Sequence, residues 1–232
     1  MNTYYSINET VKLHYGKYLY KLSIPTPIAG IFRTDFQRGG KLSYAAKNLN
    51  EYVKQAENGK VIRKSRWHSQ TIDMEQLEDG FHIYKTLRYA KDYLIRCEMN
   101  TLMVYSNNIK LLDRLTNGLS NTFVEIWKPS KTSQNFLLEN KHVLIVDKPS
   151  EYKYKISFGR KKAKPELGKW LEANKDKSRA GNIFIKNCKE ENYINGQYIF
   201  LRDDKVLFLV NIIAGDNITR VEQVVFKDDI AS

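Results

Sequence analysis

Hydrophobic and polar positions alternate most regularly between Tyr152 and Phe158. Tyr152, Tyr154, Ile156 and Phe158 fall on one side of an extended chain, and Lys153, Lys155 and Ser157 on the other. Gly159 ends this strand. A charged loop with Arg160, Lys161, Lys162 and Lys164 follows, and Pro165 suits the first turn of a helix, where its missing N–H costs nothing. Leu167, Trp170 and Leu171 then make an apolar stripe at helical spacing, with Glu166 at its start and Lys175 and Lys177 near its end, as the helix dipole favours.

The same reading extends along the chain. Residues 11–24 read as a strand interrupted or bulged at Gly16, and residues 28–40 as a glycine-bearing loop. Residues 41–57 predict a helix with Leu42, Ala45, Leu49, Tyr52 and Val53 on one face and Asn58-Gly59 as its stop. Residues 60–68 read as a strand running into a basic loop. Residues 73–79 predict a short helix ended by Gly80, and the alternation of Phe81, Ile83, Leu87 and Tyr89 predicts a strand over 81–89. Strands follow at 93–99 and 102–105, then a helix capped by Asn107 or Asn108 and carrying Ile109, Leu111, Leu112 and Leu115, then a strand at 122–127. Residues 128–135 are polar and linker-like. Beyond them come strands at 143–146 and 182–186 and a tail over 197–226 that reads as an antiparallel meander, with strands at 197–201, 206–213 and 218–226.

These elements define an α+β protein with antiparallel-rich sheets, three to four helices and split strand–helix–strand units of ferredoxin-like type. The linker-like segment divides it into two expected lobes, residues 1–128 and 136–232.

Composition narrows the picture. The 232 residues are 42% hydrophobic and 12% aromatic, which specifies a folded chain rather than a disordered one. No apolar run approaches the roughly 20 residues that cross a bilayer, and the first residues lack the basic start and apolar centre of a secretory signal. No membrane partner is expected, and the expected location is cytoplasmic. Lysine, asparagine, isoleucine and tyrosine are all plentiful, the pattern of an AT-rich gene, which hints at a phage or viral origin and a host cytoplasm. Cys97 and Cys188 have no CxxC or Cys/His spacing and read as reduced thiols. No metal or cofactor is expected.

The net charge of +12 and the pI of about 9.5 change the picture most. Such an excess favours a polyanion, RNA or DNA. It gathers in two groupings, one of Lys60, Arg63, Lys64, Arg66, Trp67 and His68, the other of Lys153, Lys155, Arg160, Lys161, Lys162 and Lys164. Lysines supply counterion release without reading sequence, while arginines and exposed rings stack on unpaired bases. The reading is therefore a non-enzymatic nucleic-acid-binding protein acting through basic and aromatic contacts. One rival is a structural or assembly protein with protein partners. Another is a small metal-dependent nuclease built on Asp147, Glu151 and Lys153. No glycine-rich phosphate loop or GxGxxG motif occurs, and His14, His68, His82 and His142 show no zinc spacing.

Overall fold

The computed structural model of the chain describes residues 5–33, 42–65, 68–120 and 123–230. Two compact units emerge, Met1–Thr10 with His14–Ser130, and Val11–Leu13 with Lys131–Ser232. The fold is mixed α/β, with a five-stranded mixed sheet in each unit.

The first unit runs β1 (Tyr5–Glu9), β2 (Tyr20–Pro25), α1 (Ser43–Glu57), β3 (Arg63–Ser65), β4 (His68–Thr71), α2 (Met74–Arg88), β5 (Tyr93–Glu98), β6 (Thr101–Ser106), α3 (Ile109–Thr116) and β7 (Val124–Lys128). Its main sheet has the order β5-β6-β2-β7-β1, and β1 lies parallel to β7 while the other three pairings are antiparallel. Strands β3 and β4 form a separate two-stranded ribbon.

The second unit runs α4 (Lys131–Glu139), β8 (Val143–Val146), β9 (Tyr154–Phe158), α5 (Pro165–Ala173), β10 (Ser178–Arg179), α6 (Asn182–Lys189), β11 (Tyr198–Leu201), α7 (Asp204–Ala214) and β12 (Ile218–Phe226). Its sheet has the order β10-β11-β9-β12-β8, with β8 parallel to β12 and the other three pairings antiparallel. Numbered by chain order within each main sheet, both sheets read 3-4-2-5-1, with the parallel pair at the same edge. In the first unit α3 joins β6 to β7 with β2 between them; in the second, α7 joins β11 to β12 with β9 between them. The chain thus builds one sheet plan twice. Each sheet carries a fifth, parallel edge strand that the strand–helix–strand units expected did not include.

Several expected elements change type. The helix over 73–79 and the strand over 81–89 are one helix, α2, running straight through Gly80. Asp73 starts it with a capping box: its carboxylate accepts from the Gln76 N–H at 2.8 Å, and the Gln76 side chain accepts from the Asp73 N–H at 3.3 Å. Gly80 is there for close approach, since a Cβ at this position would lie 2.5 Å from Ile28 Cδ1 and 2.7 Å from Leu49 Cδ2. The expected strands at 182–186 and 206–213 are helices α6 and α7, so the tail is not a meander. Asp203 caps α7, its carboxylate accepting from the Val206 N–H at 3.0 Å, and Val206, Val210 and Ala214 then bury one face. The linker-like segment turns helical at Lys131. Seven α-helices occur among the described residues, against the three to four expected. Among those residues no helix is long and apolar enough to cross a membrane.

The cores follow strand alternation. In the second unit Ile156, Phe158, Ile199 and Leu201 face Leu167 and Leu171 of α5, Phe184 and Cys188 of α6, and Val206 and Val210 of α7, all buried. Trp170, on the apolar stripe with Leu167 and Leu171, is only partly buried and packs against this core. In the first unit Leu22, Val104 and Ile126 are buried on adjacent strands in register, and α3 packs on β2 and β6.

Candidate nucleic-acid interface

Because side chains alternate along a strand, burying Ile156 and Phe158 turns Lys155 and Ser157 to the other face of the second sheet. Register then decides their neighbours. Lys155 pairs with Phe200 on one side and Glu222 on the other, and Phe200 pairs with Arg179. A row of Arg179, Phe200, Lys155 and Glu222 therefore crosses four strands on the face opposite α5, α6 and α7. Tyr198 lies two residues from Phe200 on the same side of β11 and pairs with Ser157.

This row is organised by ring–cation contacts. Lys155 Nζ sits 4.0 Å from the Tyr198 ring centre, and the Arg179 guanidinium lies 4.5 Å from the Phe200 ring and 5.5 Å from the Tyr152 ring. Tyr198 and Phe200 meet edge to face at 5.6 Å, and Tyr152 lies 6.2 Å from Phe200. Tyr198 stays 50% exposed, and Arg179 is exposed. Tyr152, assigned by alternation to the inner face, precedes β9 and instead joins the outer one. Glu222 is buried and takes both Lys12, at 3.0 Å, and Arg220, at 3.5 Å, so its charge is more than matched. Burial lowers the Lys155 pKa, the Lys12 and Arg220 charges push the same way, and Glu222 opposes them.

The second expected grouping divides between the aromatic row and the loop after β9. Lys153 is exposed just before β9, and Lys155 belongs to the aromatic row. Arg160, Lys161, Lys162 and Lys164 occupy the loop beyond β9. There the Lys161 N–H donates to Asn217 Oδ1 at 3.1 Å, the Asn217 amide donates back to Lys161 O at 2.9 Å, and Asp216 holds Lys161 at 3.5 Å and Lys164 at 3.4 Å. Lys162 bridges to Tyr193 through the backbone. In the other grouping Lys60 is exposed after α1, the backbones of Arg63 and Lys64 lie in β3, and His68 starts β4 opposite Ser65. Arg66 and Trp67 lie outside the described residues.

Arg179, Tyr198 and Phe200 were missed by sequence reasoning. The signal was present in the run Tyr198-Ile199-Phe200-Leu201, whose rings alternate with aliphatic residues and so mark a face opposite the core. Arg179 carried no local signal.

The nuclease candidates Asp147, Glu151 and Lys153 are all exposed in the segment before β9. Asp147 is exposed and lies 4.0 Å from Lys227 Nζ, and among the described residues no three His, Cys, Asp or Glu side chains gather as metal ligands. His82 has a structural place: its Nε2 lies 2.9 Å from the Arg114 carbonyl and 3.1 Å from that of Leu115, at the end of α3.

No family model, curated protein or solved structure matches this chain.

Proposed function

We propose that this protein binds nucleic acid, using the outer face of the second sheet as its contact surface. The observation that carries the reading is the row in which Arg179 and Lys155 lie against Phe200 and Tyr198 on the face opposite α5, α6 and α7. Aromatic rings flanked by cations, in a chain of net charge +12, supply both halves of what nucleic acid requires: charge for phosphates and flat apolar surface for bases. The loop of Arg160, Lys161, Lys162 and Lys164 adds phosphate attraction without base information. The test is binding of labelled oligonucleotides across a salt series. Affinity that falls linearly on a log–log plot supports the reading, and no binding even at low salt rejects it.

One observation favours the assembly reading in second place. Helix α7 exposes Phe208, Leu209 and Ile212, an uncharged stripe of the kind that packs against another protein. A protein that binds no oligonucleotide but whose mass in solution falls when Phe208 and Ile212 are made polar would favour it.

A further inference from the structure

We infer that the ligand of this face is an unpaired strand, with bases stacked on Tyr198 and Phe200 and phosphates held by Arg179 and Lys155; this rests on the nucleic-acid reading above.

Three observations point to single strands. The Tyr198 and Phe200 rings stand at 87° with centres 5.6 Å apart, so they offer a face and an edge in different planes. Duplex bases lie about 3.4 Å apart with their faces covered by one another, and present only edges in the grooves. Rings on a sheet surface can be covered only by bases free to turn. Second, β10 is two residues long and pairs with Leu201 and Phe200 alone. Beside Tyr198 the sheet edge therefore opens into a shallow groove of about 640 Å³ lined by Arg179, Gly181, Ile183, Gly196, Tyr198 and Phe200. A Cβ placed on Gly181 or Gly196 would meet nothing within 4 Å, so this edge leaves room for a strand to pass. Third, charge complements a backbone lying across the strands. Arg179 and Lys155 flank Phe200, and Lys153 and Arg202 are exposed at the ends of β9 and β11. The one carboxylate of the row, Glu222, is buried with two cations.

An abasic strand separates stacking from charge, because it keeps every phosphate and offers no base. The full chain is titrated by fluorescence anisotropy with four probes of equal length: mixed-sequence single-stranded DNA, the same sequence as RNA, the DNA duplex, and an abasic DNA strand. The inference predicts that at least one base-bearing single strand binds about tenfold or more tighter than the duplex and the abasic strand. It predicts further that Tyr198→Ala, at a half-exposed position that tolerates truncation, weakens that binding about 5- to 150-fold while leaving abasic binding unchanged. Phe200→Leu, which keeps apolar volume and removes the flat ring, falls the same way. The tighter of the DNA and RNA arms names the source of the strand. Abasic or duplex binding equal to that of the single strands overturns the inference while the nucleic-acid reading stands, and failure of all four probes at low salt overturns both.

Discussion

The two units share a sheet plan and differ in what they do with its outer face. At matching positions the first sheet carries Leu94, Tyr105, Lys21 and Trp127, and the second carries Arg179, Phe200, Lys155 and Glu222. Each places a lysine on the central strand beside an aromatic ring. In the first unit that ring is then shut in. Tyr105 is 6% exposed, clusters with Tyr18 and Met103, and meets Tyr15 at 5.0 Å and His14 at 5.4 Å. The loop that delivers these rings turns through Tyr15 at φ 54 and Gly16 at φ 66. A left-handed tyrosine costs roughly 1–2 kcal/mol, so the ring contacts must offset that strain. In the second unit Tyr198 stays 50% exposed and Phe200 is only partly buried, and Arg179 stands where the first has the apolar Leu94. One plan serves packing in one place and presents a charged aromatic surface in the other.

The largest expected effects lie on the inner faces, where the units should behave alike. Leu22 and Ile156 occupy the same position of the central strand and are both fully buried. Leu22→Ala and Ile156→Ala should each cost about 2–5 kcal/mol, read from denaturant midpoints, with no direct role in binding. A loss below ~1 kcal/mol for either would show that the two sheets are not equivalent inside.

On the outer faces the comparison should split. Tyr105→Ala empties a buried site and should cost ~3 kcal/mol, with no change in oligonucleotide affinity for the protein that remains folded. Phe200→Ala removes a ring that is only partly buried and should cost ~1–2 kcal/mol, yet it should weaken single-strand binding. Equal stability costs, or a binding loss in both variants, would erase the distinction between closed and open faces.

Smaller effects belong to the basic loop. Replacing Lys161 and Lys162 together by Glu should weaken binding to every sequence about equally. It should also reduce the log–log salt slope for a single strand by roughly 0.7 for each phosphate that is no longer neutralised. An unchanged slope would place the phosphate-binding cations elsewhere.

A further difference lies in pH dependence and shows only in alkali. Burial raises the Cys97 thiol from its ordinary 9.0 to about 11, with Arg33 opposing, and raises the buried Cys188 thiol to about 12. Each folded thiol holds its proton more tightly than the unfolded one. This stabilising contribution is complete below pH 9.0 and is lost as pH rises to about 11 in the first unit and about 12 in the second. Cys188→Ala should flatten the fall of the denaturant midpoint above pH 9; an identical slope in wild type and variant would remove Cys188 as a cause.

How much of this the chain revealed beforehand depended on the range of the interactions involved. The strand at Tyr154–Phe158 and the helix at Pro165–Ala173 were legible because alternation, a proline at the first turn and an apolar stripe agreed. Helix α6 misled because Ile183 and Ile185 flank Phe184 as they would in a strand, whereas the residues buried are Phe184 and Cys188, one turn apart, and Ile183 is 75% exposed. Helix α7 misled because Val206 to Ile213 is a short, nearly unbroken apolar run, which periodicity cannot assign. The site was legible only in its lysines. Lys155 was placed on the outward side by local alternation, but Arg179 and Phe200 reach it through strand pairing across more than twenty residues of chain at each step, which no local pattern encodes.

The central claim is that the open aromatic face of the second sheet, and not the closed one of the first, touches the ligand. Photocrosslinking tests it most directly. A single strand carrying 5-bromouracil is irradiated on the full chain, and the modified peptides are sequenced by mass spectrometry. Crosslinks at Tyr198 and Phe200, absent at Tyr105, are the predicted result. Crosslinks at Tyr105 or Trp127 with none on β11 would contradict the account.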